Sequence, residues 1–322
     1  MNLKSSDASD IIRKTKGGGS MKKDVKIIFI IAIAVLIALL TLTAIFFWYV
    51  PRYVTSKKMY DASEKGLEGE TTVMTFNVRC YSPTDLFKKS WFYRADLVVD
   101  VIEKNAPDVI AFQEVAPMHV KFLKDRLKGY SFVNAYRTQK GAKEGLMIAY
   151  RTNAFEVVEE GYFWISETPE KESKDWGTAF PRIAVYATLK SVKSGKVVTV
   201  MDVHLDHVSA EARKEGMRVL LEQKAKLNME SLILLGDMND YDDSLMYAKA
   251  IEGGLRDAKL IAENSYVGSG ATYQGFGSKL DGRRIDYFFL TPDLEVSSYA
   301  VIDETYDGVY PSDHFPLVIK LK

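Results

Sequence analysis

One cysteine, Cys80, occurs in 322 residues. No disulfide can close within the chain, and a thiolate-bound zinc site is excluded. An excess of charge is also missing. Lys plus Arg and Asp plus Glu each number 43. Net neutrality argues against a uniformly basic nucleic-acid binder. There is no Gly-rich phosphate cradle of the Walker type and no Gly-x-Ser-x-Gly elbow, so nucleotide-driven transfer and serine hydrolysis lack support. No internal repeat and no Pro/Gly/Ser-rich break interrupts residues 71–322. With 47% hydrophobic and 27% charged residues, the chain is not a disordered one.

The neutrality is unevenly spread. Residues 1–70 carry eleven basic and seven acidic residues, which leaves 71–322 at −4. From Ile27 to Val50 no residue is charged. As a helix this run is about 36 Å long, enough to cross a hydrocarbon core of about 30 Å. Phe46, Phe47, Trp48 and Tyr49 close it where an interfacial aromatic belt would sit. The run is too long, and its end too bulky, for a cleaved secretory signal, so residues 27–50 are expected to be an uncleaved signal anchor. Lys22, Lys23 and Lys26, with Arg13, Lys14 and Lys16, outweigh Arg52, Lys57 and Lys58. That bias puts the N-terminus in the cytoplasm and the bulk of the chain outside it, as a single-pass cell-membrane protein. Residues 1–26 then form a basic tail. Gly17-Gly18-Gly19-Ser20 before Met21 reads as a linker ahead of a second start, so 1–20 are set aside from the fold. Residues 51–70 read as a stalk and 71–322 as one domain; a monomer is expected.

Within 71–322, β-rich runs are expected at 72–77, 109–112, 146–150, 155–164, 183–189, 197–203, 232–235, 285–290, 296–301 and 316–321. Helical periodicity covers 91–104, 116–128 and 210–227. This is not a regular βαβ alternation, and it favours a sheet-on-sheet core with outer helices. Several strand ends carry polar side chains that packing does not require. Asn77 ends one, Gln113-Glu114 another, His204-Leu205-Asp206-His207 a third and Asp237-Met238-Asn239 a fourth. Asp286 lies inside a fifth, and Asp313-His314 precedes a sixth. Turn chemistry explains any one of these, but it explains six poorly. Carboxylate and amide oxygens suit a hard cation such as Mg²⁺. Acids beside imidazoles suit attack of water on a phosphate ester.

The strings Thr75-Phe76-Asn77-Val78-Arg79, Phe112-Gln113-Glu114, Glu144-Gly145-Leu146-Met147-Ile148, His204-Leu205-Asp206-His207, Gly236-Asp237-Met238-Asn239, Arg284-Ile285-Asp286-Tyr287 and Ser312-Asp313-His314-Phe315-Pro316 occur in this order. Taken together, the chain resembles the endonuclease/exonuclease/phosphatase superfamily. The resemblance implies an α/β fold, a four-layer α/β/β/α sandwich, here preceded by one transmembrane helix. It implies that Glu114 is the main metal carboxylate, with Asn77 and Asp313 near the same Mg²⁺ (or Mn²⁺). Asp237 is then the residue that activates the attacking water, and Asn239 the one that orients the phosphate. His314 contacts the phosphate with Asp286 as its partner. His204 is the second catalytic histidine, paired with Glu144.

Weaker candidates carry open readings. Asp206 and His207 either shape the site or start the next helix. Arg182 either reaches a substrate phosphate or makes a surface ion pair. Arg283 and Arg284 either meet anionic substrate or line a solvated strand edge. Trp164 and Trp176 are expected in packing, Cys80 as a small packing residue and His119 at the surface. The expected activity is metal-dependent phosphoester hydrolysis, phosphodiesters favoured. The candidate substrates are a lipid head group, an inositol phosphate or nucleic acid. The competing readings are a surface-displayed nuclease and a catalytically silent, surface-displayed binding protein of the same fold.

Overall fold

The computed structural model describes residues 8–67, 69–141, 143–280 and 282–322. It divides into two compact units, Met1–Ser56 and Lys57–Lys322. In the first, one helix runs Ala8–Thr55. Its segment Lys22–Ile45 is long and apolar enough to cross a membrane. The apolar side chains there, from Ile27 to Leu42, are exposed. The hydroxyls of Thr41 and Thr43 donate back to the carbonyls of Ile37 and Leu39, which satisfies them inside the helix. The helix includes Gly17–Ser20, expected as a linker, at a cost of about 1 kcal/mol per glycine relative to alanine. Residues 1–7 of the expected tail, and the side chains of the aromatic run 46–49, lie outside the described residues.

Among the described residues of the second unit, two large sheets carry the fold. One has seven strands in the order Asn264–Val267, Val296–Val301, Leu317–Leu321, Thr71–Asn77, Val109–Val115, Gly145–Arg151, Tyr130–Tyr136. The other has six, in the order Arg256–Asp257, Asp286–Leu290, Leu232–Asp237, Val197–His204, Ile183–Ser191, Phe155–Trp164. Strand alternation divides the side chains between two layers of core. Val73, Val109, Ile148, Val185, Val200, Leu235, Phe288 and Ile319 fill the space between the sheets. Met201, Leu234 and Phe289 point the other way and pack under Met217 and Leu220 of helix Ala210–Lys226 and Met246 of helix Leu245–Glu252. Helices Trp91–Asn105 and Pro117–Arg126 belong to the opposite outer layer. Two sheets packed between helices is the expected α/β/β/α order.

The structure corrects several expectations. The second compact unit begins at Lys57, within the stretch 51–70 expected as a stalk. Tyr60–Asp61 pairs in parallel with Leu127–Lys128. Lys65 donates to Ala106 O and Asp108, and Arg151 to Gly66 O. A short polar stretch gives no periodic signal for such docking. The helix expected over 116–128 stops at Arg126, because Leu127–Lys128 is taken by that pairing. The edge strand Tyr130–Tyr136 was not expected; it is only half-buried, which blurs its alternation.

His119 is also corrected. It is wholly buried, with its ring 4.1 Å from that of Trp91 and its Nδ1 accepting from Ala116 N. Burial, reinforced by the Arg94 guanidinium, pushes its pKa down to about 3. An unfolded His takes a proton below about 6.5, whereas the folded one resists down to about 3. The unfolded state therefore binds more protons in that window, and stability falls as pH falls through it. Urea midpoints measured from pH 7 to pH 4 should decline more steeply in the wild type than in His119→Asn. Parallel curves would refute the assignment.

Candidate active site

The two sheets bring their polar strand ends to one edge. In the six-stranded sheet, register places Asp237 directly between His204 on one neighbour and Asp286 on the other. In the seven-stranded sheet Asn77 pairs with Gln113. Gln113 Nε2 reaches across to Asp202 Oδ1 at 2.7 Å, a buried hydrogen bond that ties the sheets beneath the site. Burial holds the Asp202 carboxyl well above its ordinary range. The ladder between Val109–Val115 and Gly145–Arg151 shifts register between Phe112 and Val115, at Gln113-Glu114. Such a bulge re-aims a side chain. Glu114 (φ 63°), Arg79 (φ 57°) and Asn239 (φ 51°) all adopt the left-handed region, so backbone strain gathers here.

Asp237 lies at the centre of a network. Its Oδ2 accepts from Asn77 Nδ2 at 3.0 Å. It stands 3.5 Å from His204 Nε2 and 3.6 Å from His314 Nε2. Its Oδ1 accepts from Asn239 N at 2.9 Å. Asp286 Oδ2 lies 2.9 Å from His314 Nδ1. Burial alone would lower the His314 pKa, but Asp286 and then Asp237 outweigh it and raise the value to about 10. Burial, with Asp286 beside it, pushes Asp237 up to about 7. His204 is held well below its ordinary range by burial and by Arg182.

Glu114 and Asp313 open onto the same cavity, of about 470 Å³, as Asp237, Asn239, His204 and His314. Burial would raise Glu114, but His204, the Cys80 N–H, His314 and Arg79 together hold it well below the usual carboxylate range. Its Oε2 accepts from Cys80 N at 2.8 Å and its Oε1 from Asn77 Nδ2 at 3.2 Å. Burial and the neighbouring Glu114 charge raise Asp313, opposed by His314 and by Arg79, whose Nε is 3.7 Å away. Asp237, Asp286 and His314 place one donor atom each within 4.8 Å of one another, a geometry open to a cation. The 2.9 Å contact of Asp286 with His314 is a hydrogen bond, however, and commits those two to each other. Besides Asp237 and the Arg137-paired Glu144, the carboxylates that face the cavity are Glu114 and Asp313. Crowded, buried oxygen donors of one sign fit a hard divalent ion.

The model of the endonuclease/exonuclease/phosphatase family matches residues 74–314. The chain belongs to that family. An endonuclease/exonuclease/phosphatase of Bacteroides vulgatus is 28% identical, with a TM-score of 0.74 over 79% of this chain and 99% of that one. The mannosyl-6-phosphatase Bt3783 of Bacteroides thetaiotaomicron is 29% identical, with a TM-score of 0.73 over 78% and 99%. An uncharacterised protein of Acanthamoeba polyphaga mimivirus is 28% identical over 71% of this chain and 91% of its own length.

Within this endonuclease/exonuclease/phosphatase domain, the other candidates have definite places. Glu144 lines the cavity beside His204, but its ion pair, at 2.5 Å, is with Arg137 Nη1. Arg182 is 4% exposed and is not at the surface. Its Nη2 is 3.0 Å from His207 Nδ1, and His207 faces the cavity. Asp206 is turn-forming: its oxygens accept from Ala179, Val208 and Ser209 N. Arg284 is buried against Asp257 and Arg283 bonds Asp242 and Asp243, so neither reaches the cavity. Trp164 is core, with its Nε1 donating to Arg137 O. Trp176 packs at the margin of the outer core. Cys80 borders the cavity, and its backbone N–H donates to Glu114 Oε2, so it is not mere packing.

Sequence reasoning did not single out Arg94, Arg137, Phe180 or Tyr273. Arg94 is fully buried and donates to the carbonyls of Val78, Arg79, Lys89 and Pro311. It thereby clamps the loop after Asn77 to the loop before Asp313. Its position on an amphipathic helix reads as surface charge, so no local signal marks it.

Proposed function

We propose that this chain is a divalent-metal-dependent phosphoester hydrolase. The observation that carries this reading is Asp237 Oδ2 standing 3.5 and 3.6 Å from the two imidazoles His204 and His314, beside Asn77 and Asn239. Asp237 takes a proton from the attacking water. The water oxygen bonds to phosphorus as the ester P–O bond opposite it breaks. His314, held charged by Asp286, donates Nε2–H to a phosphoryl oxygen, and Asn239 orients the same group. His204 supplies a second contact from the other side. Glu114, Asn77 and Asp313 would hold the ion. When bound, Mg²⁺ supplies charge to the phosphoryl and leaving oxygens.

The helix over 27–50 would act as an uncleaved anchor, with the N-terminus in the cytoplasm and the hydrolase domain outside it. This leaves lipid head groups, inositol phosphates and extracellular nucleic acid as reachable substrates. The relative named as a mannosyl-6-phosphatase adds sugar monoesters to that set.

The test is a substrate panel on the full chain in detergent, with Mg²⁺, Mn²⁺ or EDTA. It should include bis-p-nitrophenyl phosphate, p-nitrophenyl phosphate, DNA, RNA, inositol phosphates and sphingomyelin. Chelation should lower turnover by about 100-fold or more, and Mg²⁺ should restore it. Absence of turnover on every phosphoester would sink the proposal in favour of a binding protein of this fold.

A further inference from the structure

The cavity has a second arm of which this mechanism uses only His204. It is lined by Arg137, Glu144, Arg182 and His204, and it continues past Phe180 and His207. Arg182 stands out chemically. It is 4% exposed, yet its Nε has no hydrogen-bond partner. Its nearest carboxylate oxygen, Asp206 Oδ1, is 3.5 Å from Nε, too long for a hydrogen bond, and already accepts from Ala179 N. Among the described residues its one hydrogen-bond contact is between Nη2 and His207 Nδ1. A guanidinium offers five N–H donors, so most of this fork is unspent. Leaving buried donors unpaired costs free energy unless a ligand takes them up.

Arg137 is the second cation of the arm. Its guanidinium lies 4.5 Å from the ring centroid of Phe180, which is itself exposed and stacks on His207 at 6.5 Å. Among the described carboxylates Arg137 is held by Glu144 alone. Two forked cations side by side, with idle donors, match a tetrahedral anion with several acceptor oxygens. The inner part of the arm is lined by Arg137, Glu144, Arg182 and His204 and not by Asp237 or His314, and His204 Nε2 stands 3.5 Å from Asp237 Oδ2 at its margin. An anion held there is therefore not the phosphoryl group under attack at Asp237 and His314.

Building on the phosphoesterase reading, we propose that the Arg137–Arg182 arm binds a second phosphate group carried by the substrate. The enzyme then favours bisphosphate esters over esters with a single phosphate. Arg182 supplies the buried fork, Arg137 the outer cation, and Phe180 with His207 a planar wall beside it.

The test compares fructose 1,6-bisphosphate with fructose 6-phosphate on the full chain in detergent. In the wild type, kcat/KM should favour the bisphosphate. In Arg182→Gln the preference should fall tenfold or more, through KM for the bisphosphate, with part of it restored in Arg182→Lys. A smaller change in the ratio, or an equal loss on both substrates, overturns the proposal, because it would place Arg182 on the scissile phosphate or in the scaffold. A calorimetric titration with inorganic pyrophosphate in EDTA reads the arm without catalysis. Binding tenfold weaker in Arg182→Gln than in the wild type supports the subsite; equal binding overturns it. If no phosphoester is hydrolysed but the titration succeeds, the catalytic reading fails while the anion arm stands.

Discussion

Replacing Asp237 by asparagine should lower kcat on a phosphoester about 10³-fold or more while leaving the fold intact. General acid–base groups contribute about 10² to 10⁴, and Asp237 is also the hub that His204, His314, Asn77 and Asn239 share. Removing one member of such a unit disables the rest. The isosteric amide keeps an acceptor for Asn77 and removes one of two crowded carboxylates beside Asp286. The melting temperature should therefore match or exceed that of the wild type. Steady-state kinetics and a thermal melt on the same preparation make the check. A kcat within tenfold of the wild type would remove Asp237 from the chemistry. A loss of both activity and melting temperature would place it in the scaffold instead.

The residue before it should be just as intolerant, for a different reason. Gly236 has φ 128°, and a Cβ built there would lie 2.0 Å from Val203 O and 3.1 Å from Asp202 Oδ1. Val203 is its register partner on the adjacent parallel strand in the middle of the six-stranded sheet. Neither backbone can yield without breaking that ladder. Gly236→Ala should destabilise the domain by about 3 kcal/mol or more, a large part of the usual total. For a domain of this size the melting temperature would fall by roughly 10 °C. Gly195→Ala is the control. It also has positive φ (71°) but meets open space, so its cost should stay near about 1 kcal/mol. If Gly236→Ala melts within about 3 °C of the wild type, the close approach to Val203 does not constrain the strand.

The strand ends at Asn77, His204 and Asp237 were legible because polar residues closing apolar runs stand out against a core pattern. So was a sheet-on-sheet core with outer helices, since short β-rich runs and three long helices do not alternate regularly, whereas the four-layer α/β/β/α order came from the family resemblance. His119 was misplaced because a polar residue on an amphipathic helix reads as exposed, and only contact with Trp91 reveals otherwise. Arg182 and Arg284 read alike on the page. The fold sends one into the cavity and buries the other against Asp257. Glu144 lines the cavity with His204, and its ion pair is with Arg137, a residue that carries no motif of its own.

By itself the amino-acid sequence determined the composition of the site: which acids, amides and imidazoles end strands, and that one apolar run is long enough to span a bilayer. These are local properties, written in periodicity and in the placement of polar groups against it. The tertiary structure decided how those groups act. Register sets Asp237 between His204 and Asp286, a bulge at Gln113-Glu114 lies where Glu114 enters the cavity, and two guanidiniums meet beside it. Charge state and reach depend on neighbours far apart in the chain, and burial changes what each neighbour is worth.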